Sequence, residues 1–108
     1  MDTEIKELIG EIKLVPTPGR LAEIGVELSG YYANLAERYS NLEVEYPDRW
    51  TELRSVHKTD KATDMAFSAS PEGKEMTKLK WQLRYIEKAI SSINRLLRVK
   101  EGESRNMF

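Results

Sequence analysis

The chain has 108 residues, 40% of them apolar and 32% charged, a balance that suits one small folded unit and excludes a disordered, low-complexity composition. It has no cysteine and one histidine, which excludes disulfides and thiolate metal sites and leaves no second histidine for an imidazole pair. The net charge of −1 conceals a division: residues 1–48 carry four bases and ten acids, a net of −6, and residues 49–108 carry thirteen bases and eight acids, a net of +5. Such asymmetry suits either an anionic partner for the basic half or head-to-tail or antiparallel docking of identical subunits. No apolar run approaches the roughly 20 residues of a membrane span. The acidic opening stretch (Asp2, Glu4, Glu7, Glu11) is unlike a secretion signal, so a cytoplasmic protein is expected, in the host cytoplasm if viral.

Residues 3–14 read as a short helix with Ile5, Leu8, Ile9 and Ile12 on one face and Thr3 as N-cap; Gly10 weakens it by about 1 kcal/mol relative to alanine. Pro16-Thr-Pro18-Gly19 then marks a hinge over 16–19. A second helix is predicted from Arg20 to about Glu45. Its stripe of Leu21, Gly25, Leu28, Tyr32, Leu35, Tyr39, Leu42 and Tyr46 alternates by three and four, and its outer face carries Glu23, Glu27, Glu37, Glu43 and Glu45. Gly25 and Gly30, unfavourable in a helix interior, suggest close approach of another backbone. The tyrosines (Tyr31, Tyr32, Tyr39, Tyr46) read first as core residues with hydroxyls at the rim and second as a stacking surface.

Pro47 suits a kink or the first turn of a new helix, which would carry Trp50, Leu53 and either Val56 or His57 on one side as far as about Lys58. From Lys58 to Ala69 the sequence is polar and weakly helical. Ser70-Pro71-Glu72 reads as a helix start, with Gly73 the misfit. A long last helix follows, ending at Gly102 and leaving residues 101–108 as a tail. Its stripe is Met76, Leu79, Leu83, Ile86, Ile90, Ile93 and Leu97, the a/d pattern of a helix that packs on a partner helix. The predicted fold is all-α: a helical core over 20–100 in an antiparallel hairpin or bundle of three to four helices, preceded by the N-terminal helix over 1–15. Stripes this long on so small a chain predict self-assembly, with the hinged first helix as a candidate exchange element between subunits.

The last helix also carries Lys74, Lys78, Lys80, Arg84, Lys88, Arg95, Arg98 and Lys100 against only Glu75 and Glu87. At 100° per residue, Lys80, Arg84, Lys88, Arg95 and Arg98 fall within about 40° of Arg84, and the apolar stripe centres roughly 130° away. Trp81 lies at the flank of the cluster and Tyr85 just beyond it. Cations beside aromatics suit a single nucleic-acid strand, with phosphates on Lys and Arg and bases stacked. The alternative is an ordinary solvated face, with Trp81 packed on the second helix and the bases received by its acidic side. Lys58 and Lys61 join the first reading if the middle segment faces the same groove. His57 has neither a nucleophile nor a second metal ligand to work with, and no phosphate loop or metal motif occurs, so no enzyme, cofactor or metal is expected.

Leu35-x-x-x-Tyr39-Ser-Asn-Leu with Glu43 and Glu45, then Lys58 and Lys61, then Leu83-Arg-Tyr-Ile-Glu-Lys-Ala-Ile-Ser-Ser-Ile-Asn94 follow one another as in small helical phage proteins of the recombination-mediator (UvsY-type) class, which the chain resembles over residues 20–100 as a pattern of helices. The resemblance implies single-stranded DNA binding, ring-forming oligomers, and help in loading a recombinase onto strands coated by single-strand-binding protein. Where the family carries a tight basic cluster, Lys58-Thr-Asp-Lys61-Ala is diluted by Asp60 and Asp64, which shifts the expected DNA contact to the last helix. The alternative expectation is a small viral protein-interaction module, an adaptor or inhibitor of a host complex, acting through acids centred on Glu23, Glu27 and Glu37.

Overall fold

A computed structural model describes residues 2–106, and the burial of side chains for residues 2–102. It contains four helices, α1 (Thr3–Ile12), α2 (Pro18–Arg54), α3 (Asp60–Ala69) and α4 (Pro71–Asn106). This is the expected all-α arrangement, an antiparallel hairpin of two long helices with two short ones laid on it. Met107 and Phe108, the end of the predicted tail, lie outside the described residues, and α4 continues past Gly102 instead of stopping there.

The spine is α2. Its Leu21, Ile24, Leu28 and Leu35 are buried in one cluster with Leu79, Ile86, Ala89 and Ile93 of α4. A fully buried leucine or isoleucine contributes about 1.5–3 kcal/mol relative to exposure, so this seam is the main stabilising feature of the chain. Cross-helix pairs fix the direction: Arg49 with Glu72 (3.6 Å), Arg38 with Glu75, and the Tyr32 hydroxyl donating to Glu87 (2.7 Å). One side ascends as the other descends, which is antiparallel packing.

Helix α3 pairs with the far end of α2 in the same sense. Arg54 meets Asp60 (2.9 Å), the Trp50 indole donates to Asp64 (2.7 Å), and Tyr46 packs edge-on against Phe67 with centroids 4.8 Å apart. α3 and α4 therefore lie end to end along α2, joined at Ser70. There the Phe67 carbonyl accepts both the Ser70 N–H and its hydroxyl, and Ser70 Oγ in turn accepts the Gly73 N–H (3.1 Å). The joint also explains the misfit glycine. A Cβ on Gly73 would sit 2.0 Å from the Phe67 carbonyl oxygen, so only glycine lets α4 start this close to the end of α3.

Three local expectations are corrected. Pro47 neither ends a helix nor starts one, because α2 runs through it to Arg54. An internal proline costs about 3 kcal/mol, but the α3 contacts at Tyr46, Trp50 and Arg54 and the α4 contact at Arg49 hold the helix on both sides of it. Asp2, not Thr3, caps α1, accepting from the Glu4 N–H (3.0 Å). The chain reversal falls at Lys13–Val15 rather than at Pro16–Gly19, since Thr17 accepts from the Arg20 N–H (3.2 Å) and so starts α2 with Pro18 and Gly19 already in its first turn.

That reversal holds Val15 at φ 51°, the left-handed region usually left to glycine at a helix end. Val15 is β-branched and precedes a proline, and both features favour extended backbone. A conformation of this kind costs about 1–3 kcal/mol. It persists because α1 is seated, with Ile5, Leu8 and Ile12 buried and Ile9 half-buried on the hairpin.

Gly25 and Gly30 do not mark close backbone approach. A Cβ on Gly25 would meet Ile93 at an ordinary 3.9 Å, and Gly30 has nothing within 4 Å. Gly30→Ala should therefore raise stability by about 0.5–1 kcal/mol. Gly73→Ala should lower it by about 1–3 kcal/mol, since its clash is with backbone that has to move. Thermal melts followed by circular dichroism will read opposite signs at two glycines that look equally misplaced in the sequence.

Candidate nucleic-acid interface

The face of α4 that meets the core differs from the predicted stripe. Buried are Leu79, Gln82, Ile86, Ala89 and Ile93, whereas Met76, Leu83, Ile90 and Leu97 are half-buried. At 100° per residue the buried set centres roughly 180° from Arg84, about 50° from the centre of the predicted stripe. The cause is α1. It sits on one flank of the hairpin, where Asp2 and Ile5 share a hollow with Gln82 and Lys78, and so covers Gln82. On the other flank Leu83, Ile90 and Leu97 pack against the edge of the core and stay half-buried.

This rotation points the cationic cluster directly away from the core. Lys80, Arg84, Lys88, Arg95 and Arg98 are all exposed, as are Lys74 and Lys78 nearer the start of α4. Among the described residues, no carboxylate lies within 4.0 Å of any of these seven cations. The acidic side of α2 therefore does not receive them within one chain. The ion pairs between α2 and α4 are Arg38 of the acidic half with Glu75 of the basic half, and Arg49 with Glu72, both of the basic half. Neither pair draws on the exposed cations of α4, which stay on the outside.

Trp81 is 56% exposed and is not packed into the hairpin; the Arg84 guanidinium lies over its ring, 5.4 Å from the centroid. Tyr85 is 54% exposed and Val99 53%. Trp81, Tyr85, Lys88, Ser92, Arg95 and Val99 follow the four–three alternation of a helix stripe, about 27 Å long at 1.5 Å per residue. Sequence reasoning reached Trp81 and Tyr85. The same alternation reveals Ser92 and Val99 once it is read on the outer side of the helix as well as on the apolar side.

Lys58 and Lys61 are exposed but stand apart. Lys58 is in the turn before α3 and Lys61 in its first turn, roughly 30 Å along the rod from Arg84, because α3 and α4 lie end to end. His57 is half-buried, and its backbone carbonyl accepts from Arg54 (2.7 Å). No group of three or more metal-ligating side chains occurs among the described residues, and none of the described helices is long and apolar enough to cross a membrane.

A second charged surface lies on the far side of α1. Glu4, Glu7 and Glu11 of α1 and Glu27 of α2 line an open groove of about 830 Å³ with Arg20 and Tyr31. Of the acids singled out from the sequence, Glu27 belongs to it, Glu23 pairs with Arg20 at its edge (3.2 Å), and Glu37 is exposed elsewhere on α2. The contribution of α1 was not legible, because it depends on how α1 docks. Two clamps hold α1 here. Arg20 makes a two-pronged pair with Glu11, its Nη2 donating over 2.9 Å, and the Tyr31 hydroxyl donates to Glu4. The Tyr32 and Tyr31 hydroxyls thus sit at the rim with the rings half-buried, and Tyr46 alone of the four is exposed.

No protein-family model, curated protein or solved structure matches this chain.

The clamps titrate. The Glu11 carboxyl is held below its ordinary 4.5, chiefly by the hydrogen bond from Arg20, and the Tyr31 phenol is pushed up from 10.0 to about 12, first by its bond to Glu4 and then by desolvation. A lowered acid contributes stability above 4.5 and loses it as pH falls; a raised phenol contributes in full below 10.0 and loses it towards about 12. The melting temperature should therefore be level between about pH 5 and 9.5 and fall on both sides. Glu11→Gln should flatten the acid limb and Tyr31→Phe the alkaline one, as read by circular dichroism melts across pH.

Proposed function

We propose that the protein is a non-enzymatic single-stranded DNA-binding accessory factor that works as an oligomer, in phage recombination or replication, and assists the loading of a recombinase. The observation that carries the binding reading is the outer side of α4, where Lys80, Arg84, Lys88, Arg95 and Arg98 are exposed, without a carboxylate partner among the described residues, beside the exposed rings of Trp81 and Tyr85. Phosphates need cations that are not already paired, and unstacked bases need accessible aromatic surface. Lys74 lies about 80° round the helix from Arg84 and extends the track, Lys78 lies about 120° round on the flank beside α1, and Lys58 and Lys61 would engage only a strand that continues past Ser70. The recombination context comes from the resemblance to UvsY-type mediators, whose partners would include a recombinase or a single-strand-binding protein.

Oligomerisation is supported by Met76, Leu83, Ile90 and Leu97, which repeat every seven residues along the edge of the core and stay only half-buried. One helix offers few phosphate contacts, and repetition around an assembly multiplies them.

A second reading, an adaptor or inhibitor that grips a basic host protein, is favoured by the groove of Glu4, Glu7, Glu11 and Glu27. The two readings use opposite sides of the molecule and separate by mutation.

Anisotropy of labelled oligo-dT should show binding that weakens about tenfold or more between 50 and 200 mM salt. Arg84→Glu with Lys88→Glu should abolish it without loss of helical signal, and Trp81→Ala should weaken it by about 1–3 kcal/mol. Affinity that ignores both salt and charge reversal would remove α4 as the binding face. Binding abolished instead by Glu7→Lys with Glu27→Lys, and directed to basic polypeptide, would favour the second reading.

A further inference from the structure

We infer that α1 is an exchangeable arm: in the assembled protein it leaves its own hairpin and docks on the same seat of a second copy. The inference deepens the oligomeric part of the proposed function by naming how two copies are joined, and it does not depend on strand binding.

Three observations converge on the segment between Ile12 and Pro18, and a fourth on the seat of α1. Val15 is held at φ 51°, a position that neither a β-branched residue nor a pre-proline residue favours, so the closed hinge is under tension that an extended hinge would release. Pro16 and Pro18 bracket the segment and favour extension over a tight reversal. Leu14 is 80% exposed and Val15 54%, so the closed form leaves two aliphatic side chains in water at the hinge itself. Opened hinges from two chains run past each other, and these residues then have a neighbour to cover them.

The seat supplies the fourth. Everything that holds α1 is a contact between α1 and the hairpin: Ile5, Leu8 and Ile12 in the core cluster, Glu11 with Arg20, Glu4 with Tyr31. All of these form equally well when the arm comes from another chain. Exchange therefore keeps the docking interactions and removes the hinge strain, the condition under which swapping is favoured as concentration rises. The occupant is a second copy of α1, because the seat's apolar knobs and both clamps are complementary to that helix.

The chain has no cysteine, so single thiols can be placed cleanly. Glu7 and Glu27 both line the groove between the two clamps, and both are exposed. A chain carrying only Glu7→Cys is mixed with a larger-tagged chain carrying only Glu27→Cys, then treated with a short thiol-reactive crosslinker in the absence of nucleic acid. Exchange predicts a covalent heterodimer whose yield grows with protein concentration, while either chain alone gives little dimer. Val15→Gly, which relaxes the closed hinge, should lower the yield at least threefold, and Val15→Asn, which also tolerates this φ, should act in the same direction. Deleting Leu14 and Val15, which makes closure harder, should raise it. No heterodimer at any concentration, with crosslinking confined to single chains in the double Glu7→Cys, Glu27→Cys variant, would overturn the exchange. A yield indifferent to all three hinge variants would do the same. Because no oligonucleotide is present, failure here leaves the oligo-dT result standing on its own, and the reverse holds as well.

Discussion

The rest of the structure depends on the antiparallel apolar seam between α2 and α4. Leu21, Ile24, Leu28 and Leu35 close on Leu79, Ile86, Ala89 and Ile93, and nothing polar in that contact is left buried without a partner among the described residues. Two consequences follow directly. A helix whose core face is set by the seam has an outer face set by it too, so Arg84 and its neighbours point to solvent because Ile86 and Ile93 point inward. And α2, which outruns the part of α4 that it packs against, has length to spare for α3 at its far end, where Trp50, Tyr46 and Arg54 fasten Asp64, Phe67 and Asp60.

Much of this was legible. Three–four periodicity found both long helices, because an amphipathic helix buried on one side writes that period into its sequence. Ser70-Pro71 located the start of α4 for an equally local reason: a cap and a proline act within one turn. The failures share a different cause. Pro47, the tilt of the α4 core face, and Gln82 as a buried residue are decided by helices distant in sequence, α3 and α1, that no local rule sees. Gly73 and Gly30 make the same point as a pair, since an identical residue in a helix is obligatory where Phe67 presses on it and dispensable where nothing does. The candidate site follows the same division. The five clustered cations were visible as a pattern, whereas the remoteness of Lys58 and Lys61 and the assembly of the acidic groove required the docking of α3 and α1.

The distribution of charge carries the most functional meaning. A chain with a net of −6 in its first 48 residues and +5 in the rest has an obvious internal solution, to pair the two halves. The fold does not adopt it. Arg38, a base of the acidic half, pairs with Glu75, an acid of the basic half, and Arg49 and Glu72, both of the basic half, pair with each other, so these contacts zip the hairpin without consuming either excess. The dipolar surface that results is a property of the pairing pattern, because the same residues paired the other way would hold the hairpin and leave it nearly neutral. Unsatisfied charge of one sign on each side suits partners, whether strands or polypeptides, better than it suits stability of the isolated chain.

The same logic separates α1 from the rest. Within the hairpin, each exposed ion pair contributes about 0–1 kcal/mol, and the seam would hold without any of them. α1 is different: only ten residues long, it has three buried side chains and two polar clamps to set against a hinge that forces Val15 into an unfavourable conformation. Isolated helices of this length are marginal in water, so α1 keeps its shape by being docked and its docking is opposed by its own tether. A sequence under pressure only for stability would place glycine at position 15, where φ 51° is free of penalty. Valine there, followed by proline, makes the closed state the less comfortable of two ways to fill one seat, and the balance between them is set by how many neighbours are near enough to lend an arm.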